Sequence, residues 1–109
     1  MDTNTLQGNL CLKQLTSIDT DKNINGCCIC DLLSRVMANG EEEMAWITVL
    51  THLNVIAVAS LHEFSCVIIP ESIEVPKETI DKAQENDIIV FSSDRTAYEL
   101  ACGMHDLGI

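Results

Sequence analysis

Short apolar runs recur along this chain, separated by stretches with helical spacing. Leu10 to Leu15 alternates apolar and polar residues, which predicts a strand with one buried face. Residues 1–9 before it are polar and are expected to be disordered. Thr16 to Gly26 is rich in Ser, Thr, Asp, Asn and Gly and reads as a loop. Cys27 to Cys30 is short and apolar, a second strand. Asp31 is placed to cap a helix through its carboxylate, with Leu32, Leu33, Val36 and Met37 as the inward stripe. Gly40 suits a left-handed exit from that helix, and Glu41, Glu42 and Glu43 follow as an acidic loop.

The second half repeats the alternation. Trp46 to Leu50 reads as a buried strand, and Thr51 is placed to cap the next helix. Leu53 to Leu61 is apolar nearly all round, with small Ala57, Ala59 and Ser60, the pattern of a buried helix. Cys66 to Ile69 is a β-branched core strand that Pro70 ends. Pro76 fits the first turn of a helix whose inward stripe is Ile80 and Ala83, with Glu78 and Lys82 placed to pair across one turn. Ile88 to Phe91 is a further buried strand. Ser92, Ser93 and Asp94 offer caps for a last helix striped by Ala97, Leu100, Ala101, Met104 and Leu107, and Gly108 stops it. Apolar strands alternating with helices predict an α/β fold, a mostly parallel sheet flanked by helices on both faces. At 109 residues this is a single domain, 1–109.

Charge narrows the function. The net charge is -11, with 17 Asp and Glu against 6 Lys and Arg. Such a surface repels phosphate backbones and anionic lipid, so nucleic acid and membrane are excluded as expected partners. A basic protein partner is compatible with it. No signal peptide opens the chain, and no stretch approaches the roughly 20 apolar residues of a membrane helix. The expectation is a cytoplasmic protein whose six cysteines stay reduced and pack mostly as small hydrophobes.

Three segments are expected to converge on the carboxyl edge of the sheet, where open α/β folds bind ligands. They are Thr48 to Asn54, Pro70 to Ser72 and Ser92 to Thr96. The candidate ligand-binding residues are Thr48, Thr51, His52 and Asn54 at one helix start and Ser92, Ser93 and Thr96 at another, with Asp94 and Arg95 between them. Free N–H groups at helix starts attract anions, which points to a phosphate-bearing or nucleotide-like ligand. The competing use of the same side chains is capping their own helices. His62 and His105 have no carboxylate or cysteine partner in sequence. Cys27, Cys28 and Cys30 are a weak metal candidate, because on a strand Cys28 and Cys30 share one face while Cys27 points away. No GxGxxG, GxxxxGK[ST] or GxSxG motif occurs and no nucleophile–base pair is visible, so no catalytic residue, resident cofactor or enzyme activity is expected.

Several stretches between Cys28 and Ile109, about three quarters of the chain, share a family pattern. They are Asp31-Leu-Leu-Ser-Arg-Val-Met-Ala-Asn39, Trp46-Ile-Thr48, Thr51-His-Leu-Asn-Val-Ile-Ala-Val-Ala59, Ile80-Asp-Lys-Ala83, Thr96-Ala-Tyr-Glu99 and Leu107-Gly-Ile109. In these residues the chain resembles the DRTGG-domain family, in particular its short stand-alone members found beside HPr kinase-like or hydrogenase-associated proteins. The segment Thr51 to Ala59 is the most specific part. The loop that names the family falls at Asp21 to Cys27, where Asn25 stands for the Thr and Cys27 for the second Gly. The family's amino-terminal helix reads as shortened or missing before Leu10. The resemblance implies a fold like the amino-terminal domain of HPr kinase, which is not the kinase half. It also implies a regulatory role, subunit contact and a homodimer, as in domains inserted into nucleotide-regulated pyrophosphatases and phosphotransacetylases. The leading expectation is therefore a non-catalytic module that binds a small phosphorylated or nucleotide-like ligand and signals to a partner protein. The alternatives are a ligand-free structural or interaction protein of a redox or hydrogenase complex, and a metal or iron–sulfur carrier.

Overall fold

Four apolar segments form the parallel strands at the centre of the molecule, which a computed structural model describes over residues 1–109. The elements run α1 (Thr3–Leu10), β1 (Lys13–Gln14), β2 (Gly26–Ile29), α2 (Leu33–Asn39), β3 (Met44–Ile47), α3 (Leu53–Leu61), β4 (Cys66–Ile69), α4 (Lys77–Glu85), β5 (Val90–Ser92) and α5 (Ala97–Asp106). The sheet order is β1-β5-β4-β3-β2. Strands β2 to β5 are parallel, and only β1 pairs antiparallel, with β5. The expected α/β class with a mostly parallel sheet flanked by helices is thus the observed one.

The parallel strands lie side by side in chain order. Three right-handed crossovers stepping in one direction place α2, α3 and α4 on the same face. Helices α1 and α5 cover the other face and contact each other. Two cores result. One gathers Val36, Trp46, Ile56, Phe64, Val67 and Val90 beneath α2, α3 and α4. The other gathers Leu6, Leu10, Ile47, Cys66, Ile68 and Met104 beneath α1 and α5. The period of two along β3 and β4 sends successive side chains to opposite cores, so all four residues of β4 are buried.

The amino terminus departs from expectation. Residues 1–9 are ordered: Asp2 caps α1 by accepting the Thr5 N–H at 2.7 Å, and Leu6 is fully buried. The expected strand over Leu10–Leu15 shrinks to Lys13–Gln14, and the amino-terminal helix read as shortened or missing is present. The helix pattern was hidden because α1 is mostly polar and presents only Thr3, Leu6 and Leu10 to the core.

Several local devices also differ. Asp31 does not cap α2. Its carboxylate accepts the Thr48 hydroxyl at 2.7 Å and the Val49 N–H at 2.9 Å, tying the end of β2 to the end of β3. Helix α2 instead starts after Leu32, without a side-chain cap, and of the expected stripe only Val36 is buried. Leu32 and Met37 stay 60% and 51% exposed, because α2 lies over the sheet's outermost parallel strands with no further helix beyond it. Gly40 leaves α2 extended, at φ -66° and ψ 147°, not left-handed. Its requirement is space: a Cβ there would lie 2.7 Å from His62 Cδ2, 2.8 Å from Phe64 Cζ and 2.9 Å from the Val36 carbonyl. Strand β3 spans Met44–Ile47, earlier than the expected Trp46–Leu50. His52, not Thr51, is the N-cap of α3, and Thr96, not Ser92, Ser93 or Asp94, is that of α5. On α4, Lys77 pairs with Asp81 at 2.9 Å and Lys82 reaches Glu85 at 4.0 Å, replacing the expected Glu78–Lys82 pair.

Two substitutions test this packing. Leu6→Ala should cost about 2–5 kcal/mol, as for other fully buried leucines, and a urea titration followed by circular dichroism will show a lower midpoint if the first helix is integral. Gly40→Ala should cost about 1–3 kcal/mol through overpacking against the His62 and Phe64 rings, whereas a glycine needed only for its backbone freedom would show no loss in an extended conformation.

Candidate functional site

The carboxyl edge of the sheet carries two separate polar corners. The first follows β3. Thr48 is buried, donates its hydroxyl to Asp31 and accepts the Leu50 N–H at 3.2 Å. The Thr51 carbonyl accepts the Thr79 hydroxyl at 2.8 Å, joining the start of α3 to α4. His52 is exposed, and its Nδ1 accepts the Asn54 N–H at 3.2 Å. An amide N–H can only donate, so this ring carries its proton on Nε2 and turns a donor toward solvent. Asn54 is exposed one residue into the helix, and no carboxylate lies in the first turn of α3.

The second corner follows β5. Ser92 is half-buried, and Ser93 is buried, with its hydroxyl accepting the Arg95 N–H at 3.1 Å. Thr96 and Glu99 form a reciprocal capping box at the start of α5. The Thr96 backbone N–H and hydroxyl hold the Glu99 carboxyl below its usual range. A carboxylate thus already occupies this helix start and opposes a second anion there. Of the two corners, only the one at α3 leaves a helix N-terminus free of its own carboxylate.

Between them lies the loop after β4, and it is closed. The Glu71 N–H donates to the Arg95 carbonyl and the Ser72 N–H to the Ser93 carbonyl, each at 2.8 Å. β3 and β5 are separated by β4, which spaces the two corners about 10 Å apart at the sheet. The structure therefore brings Thr48, Thr51, His52 and Asn54 into one corner and Ser92, Ser93 and Thr96 into another. Asp31 joins the first corner. In sequence it has the pattern of a cap, because an Asp before a helix looks the same whichever backbone N–H it accepts.

A groove that the sequence did not announce opens beside the first corner. It lies between α2 and α3, holds about 360 Å³ and is lined by Leu33, Met37, Asn54, Ala57, Val58 and Leu61. Leu53 to Leu61 was expected to be buried all round, yet Ala57 is exposed and Leu61 is 65% exposed. The inner side of α3 faces the sheet and the outer side does not, a distinction that a uniformly apolar sequence cannot express.

The cysteines sort by face. Cys27 packs toward the α1–α5 core, while Cys28 and Cys30 pack toward the α2–α4 core. No three His, Cys, Asp or Glu side chains converge as a metal site would require. Cys27 and Cys66 share a row, each paired with Ala45 on opposite sides of β3, two strand spacings apart and too far for a disulfide. Burial pushes the Cys27 thiol up to about 12 and raises those of Cys28 and Cys66. Cys66 is buried and Cys27, Cys28 and Cys30 are half-buried, while Cys11 and Cys102 are exposed.

No protein-family profile matches the chain, and no curated protein matches it in sequence. A solved structure does match it in fold: the CBS and DRTGG domains of the regulatory region of Clostridium perfringens pyrophosphatase, complexed with its activator diadenosine tetraphosphate. The TM-score is 0.71 at 14% identity, over 92% of this chain and 44% of that one. At this identity the likeness is one of fold, and the chain corresponds to less than half of the regulatory-region chain. No helix of the protein is long and apolar enough to cross a membrane.

The burial of the thiols sets a reactivity order. At pH 8 a soluble disulfide reagent should modify Cys11 and Cys102 rapidly and Cys27 and Cys66 only on unfolding, as read by intact mass against time. Because Cys27 ionises less readily folded than unfolded, its contribution to stability is full below the ordinary thiol value of 9.0 and is lost as pH rises toward about 12. Chemical denaturation across that window should show stability falling, and less steeply in Cys27→Ala.

Proposed function

We propose that this chain is a non-catalytic regulatory module that binds a small phosphorylated or nucleotide-like ligand at the β3–α3 corner and signals to a partner protein. The observation that carries the reading is the fold shared with a regulatory region whose structure holds a dinucleotide activator. The geometry of the β3–α3 corner supports the choice of site. The start of α3 offers the positive end of a helix dipole with no carboxylate in its first turn, and the His52 Nε2–H faces solvent beside it. The hydrogen bond from the Thr48 hydroxyl to Asp31 holds this corner in shape. Ser93 and Thr96 are engaged by the Arg95 and Glu99 N–H groups, and the Glu99 carboxylate disfavours an anion beside Ser92 and Thr96. The resemblance in sequence adds a homodimeric assembly, a cytoplasmic setting and a partner in a redox or hydrogenase complex to the proposal.

The rival reading, an interaction protein with no ligand, is favoured by the same bonds: Thr48, Ser93 and Thr96 use their hydroxyls in hydrogen bonds within the chain. A thermal-shift screen of nucleotides separates the two, with diadenosine tetraphosphate included as a probe. A ligand at ten times its Kd stabilises the native state by about 1.4 kcal/mol, which is a rise of several degrees in Tm for a domain of this size. Binding at the proposed corner should be abolished in His52→Ala and unaltered in Thr96→Ala. A flat screen, or shifts that survive His52→Ala, would remove the corner from consideration.

A further inference from the structure

Of the six large hydrophobic residues left exposed, Met37 lies on α2 and Leu61 on α3, and Leu32 immediately precedes α2. Met37 and Leu61 line the groove of about 360 Å³ between the helices, whose only polar lining residue is Asn54. A contiguous apolar surface of this kind marks an interaction site, whereas isolated exposed hydrophobics do not.

The charges around the groove say what kind of partner it fits. Both helices are right-handed crossovers between parallel strands, so they run in the same direction and end at the same rim. Exposed Glu41 and Glu42 follow the end of α2, and exposed Glu63 follows the end of α3. Two helix C-termini add their partial negative charge at that rim. Arg35 is the sole Lys or Arg between Lys22 and Lys77. The groove is therefore apolar along its floor and acidic at one end.

His62 braces that end: its ring stacks on Phe64 at 5.4 Å, and its Nε2 lies 2.9 Å from the Met37 carbonyl. The two helices are thus clasped where the acidic rim begins, so the groove is a built feature with fixed walls. Its walls are seven and nine residues long, about 10–14 Å. That length takes two turns of a helix, with apolar anchors at i, i+3 or i+4, and i+7.

We infer that the α2–α3 groove is a docking site for a short amphipathic helix of another protein, carrying aliphatic anchors on one face and Lys or Arg residues at the end that meets Glu41, Glu42 and Glu63. A second copy of this chain is a poor occupant, since it brings a net charge of -11 to an acidic rim. The site gives a location to the partner in the proposed function and rests on that reading only for the statement that docking carries a signal. Asn54 belongs to both, lining the groove and donating its N–H to His52 Nδ1, so a ligand at the corner and a helix in the groove would share one residue.

The test uses the full chain and synthetic helical peptides of about 14 residues. One has Leu at i, i+3, i+7 and three Lys at one end. The second carries Glu in place of the Lys, and the third scrambles the Leu positions. Backbone amide NMR shifts on titration locate binding, and anisotropy of a labelled peptide gives Kd. Docking predicts shifts confined to α2, α3 and the Glu41–Glu43 loop. The Glu peptide and the scrambled peptide should each bind at least 10-fold more weakly. Leu61→Ser, at a residue already exposed, should weaken the Lys peptide at least 10-fold. The combined Glu41→Gln, Glu42→Gln and Glu63→Gln variant should remove its salt dependence. Shifts centred elsewhere, equal binding of the scrambled peptide, or an unchanged Kd in Leu61→Ser would overturn the proposal. So would sedimentation showing a dimer that Leu61→Ser dissociates, which would give the groove to a second copy. Nucleotide thermal shifts lost in His52→Ala concern the other corner, so the two proposals fail separately.

Discussion

The parallel ladder of β2, β3, β4 and β5 in simple chain order is the constraint on which the other features depend. Once four parallel strands are laid down consecutively, right-handed crossovers leave no choice of face for α2, α3 and α4. The opposite face must then be covered by what remains, the amino-terminal α1 and the carboxyl-terminal α5. This explains why a mostly polar first helix is ordered. Without Leu6 and Leu10, the Ile47, Cys66 and Ile68 side of the sheet would face water. It also accounts for the close approach of Leu10 to Gly103, where a Cβ on α5 would come within 2.6 Å of the leucine side chain.

The same order shapes where ligands can go. A doubly wound sheet binds at the point where strand order reverses, because the crossovers part there and leave a crevice. Here the parallel strands do not reverse, and the loops after β4 and β5 are joined by backbone hydrogen bonds. The carboxyl edge is consequently a set of small corners, not a cleft. The open space lies to the side, between α2 and α3, where the row of crossover helices ends over the edge strand β2. The same fold occurs in a pyrophosphatase regulatory region.

Charge and burial divide the remaining work. Along β2 and just beyond it the cysteines alternate between two cores, so Cys27 faces away from Cys28 and Cys30. Acidic residues are kept from the interior: Asp31 and Glu99 accept backbone N–H groups at element ends, and Glu43 accepts the Asn23 and Asn25 side chains. Each carboxylate meets a donor the local backbone or loop would otherwise leave unpaired, which lets an acidic chain fold without burying an uncompensated charge.

The α/β class, the strands at Cys27–Cys30 and Cys66–Ile69, the helix over Leu53–Leu61 and the inward residues of α5 were all legible in the chain. Each is written in local runs or periods of apolar residues, and where a period exists, as in α5, it marks the buried face. The opposite faces of Cys27 and Cys28 followed from the same rule. What local pattern could not express was anything set by a partner distant in sequence. Asp31 reads as a cap until Thr48, 17 residues on, is placed beside it. Gly40 reads as a left-handed exit until His62 and Phe64 close over it. Residues 1–9 read as frayed because their few apolar side chains find a core made of strands 40 to 90 residues away. The separation of the two polar corners, and the groove on the outer side of α3, were decided only when strand order fixed which elements are neighbours.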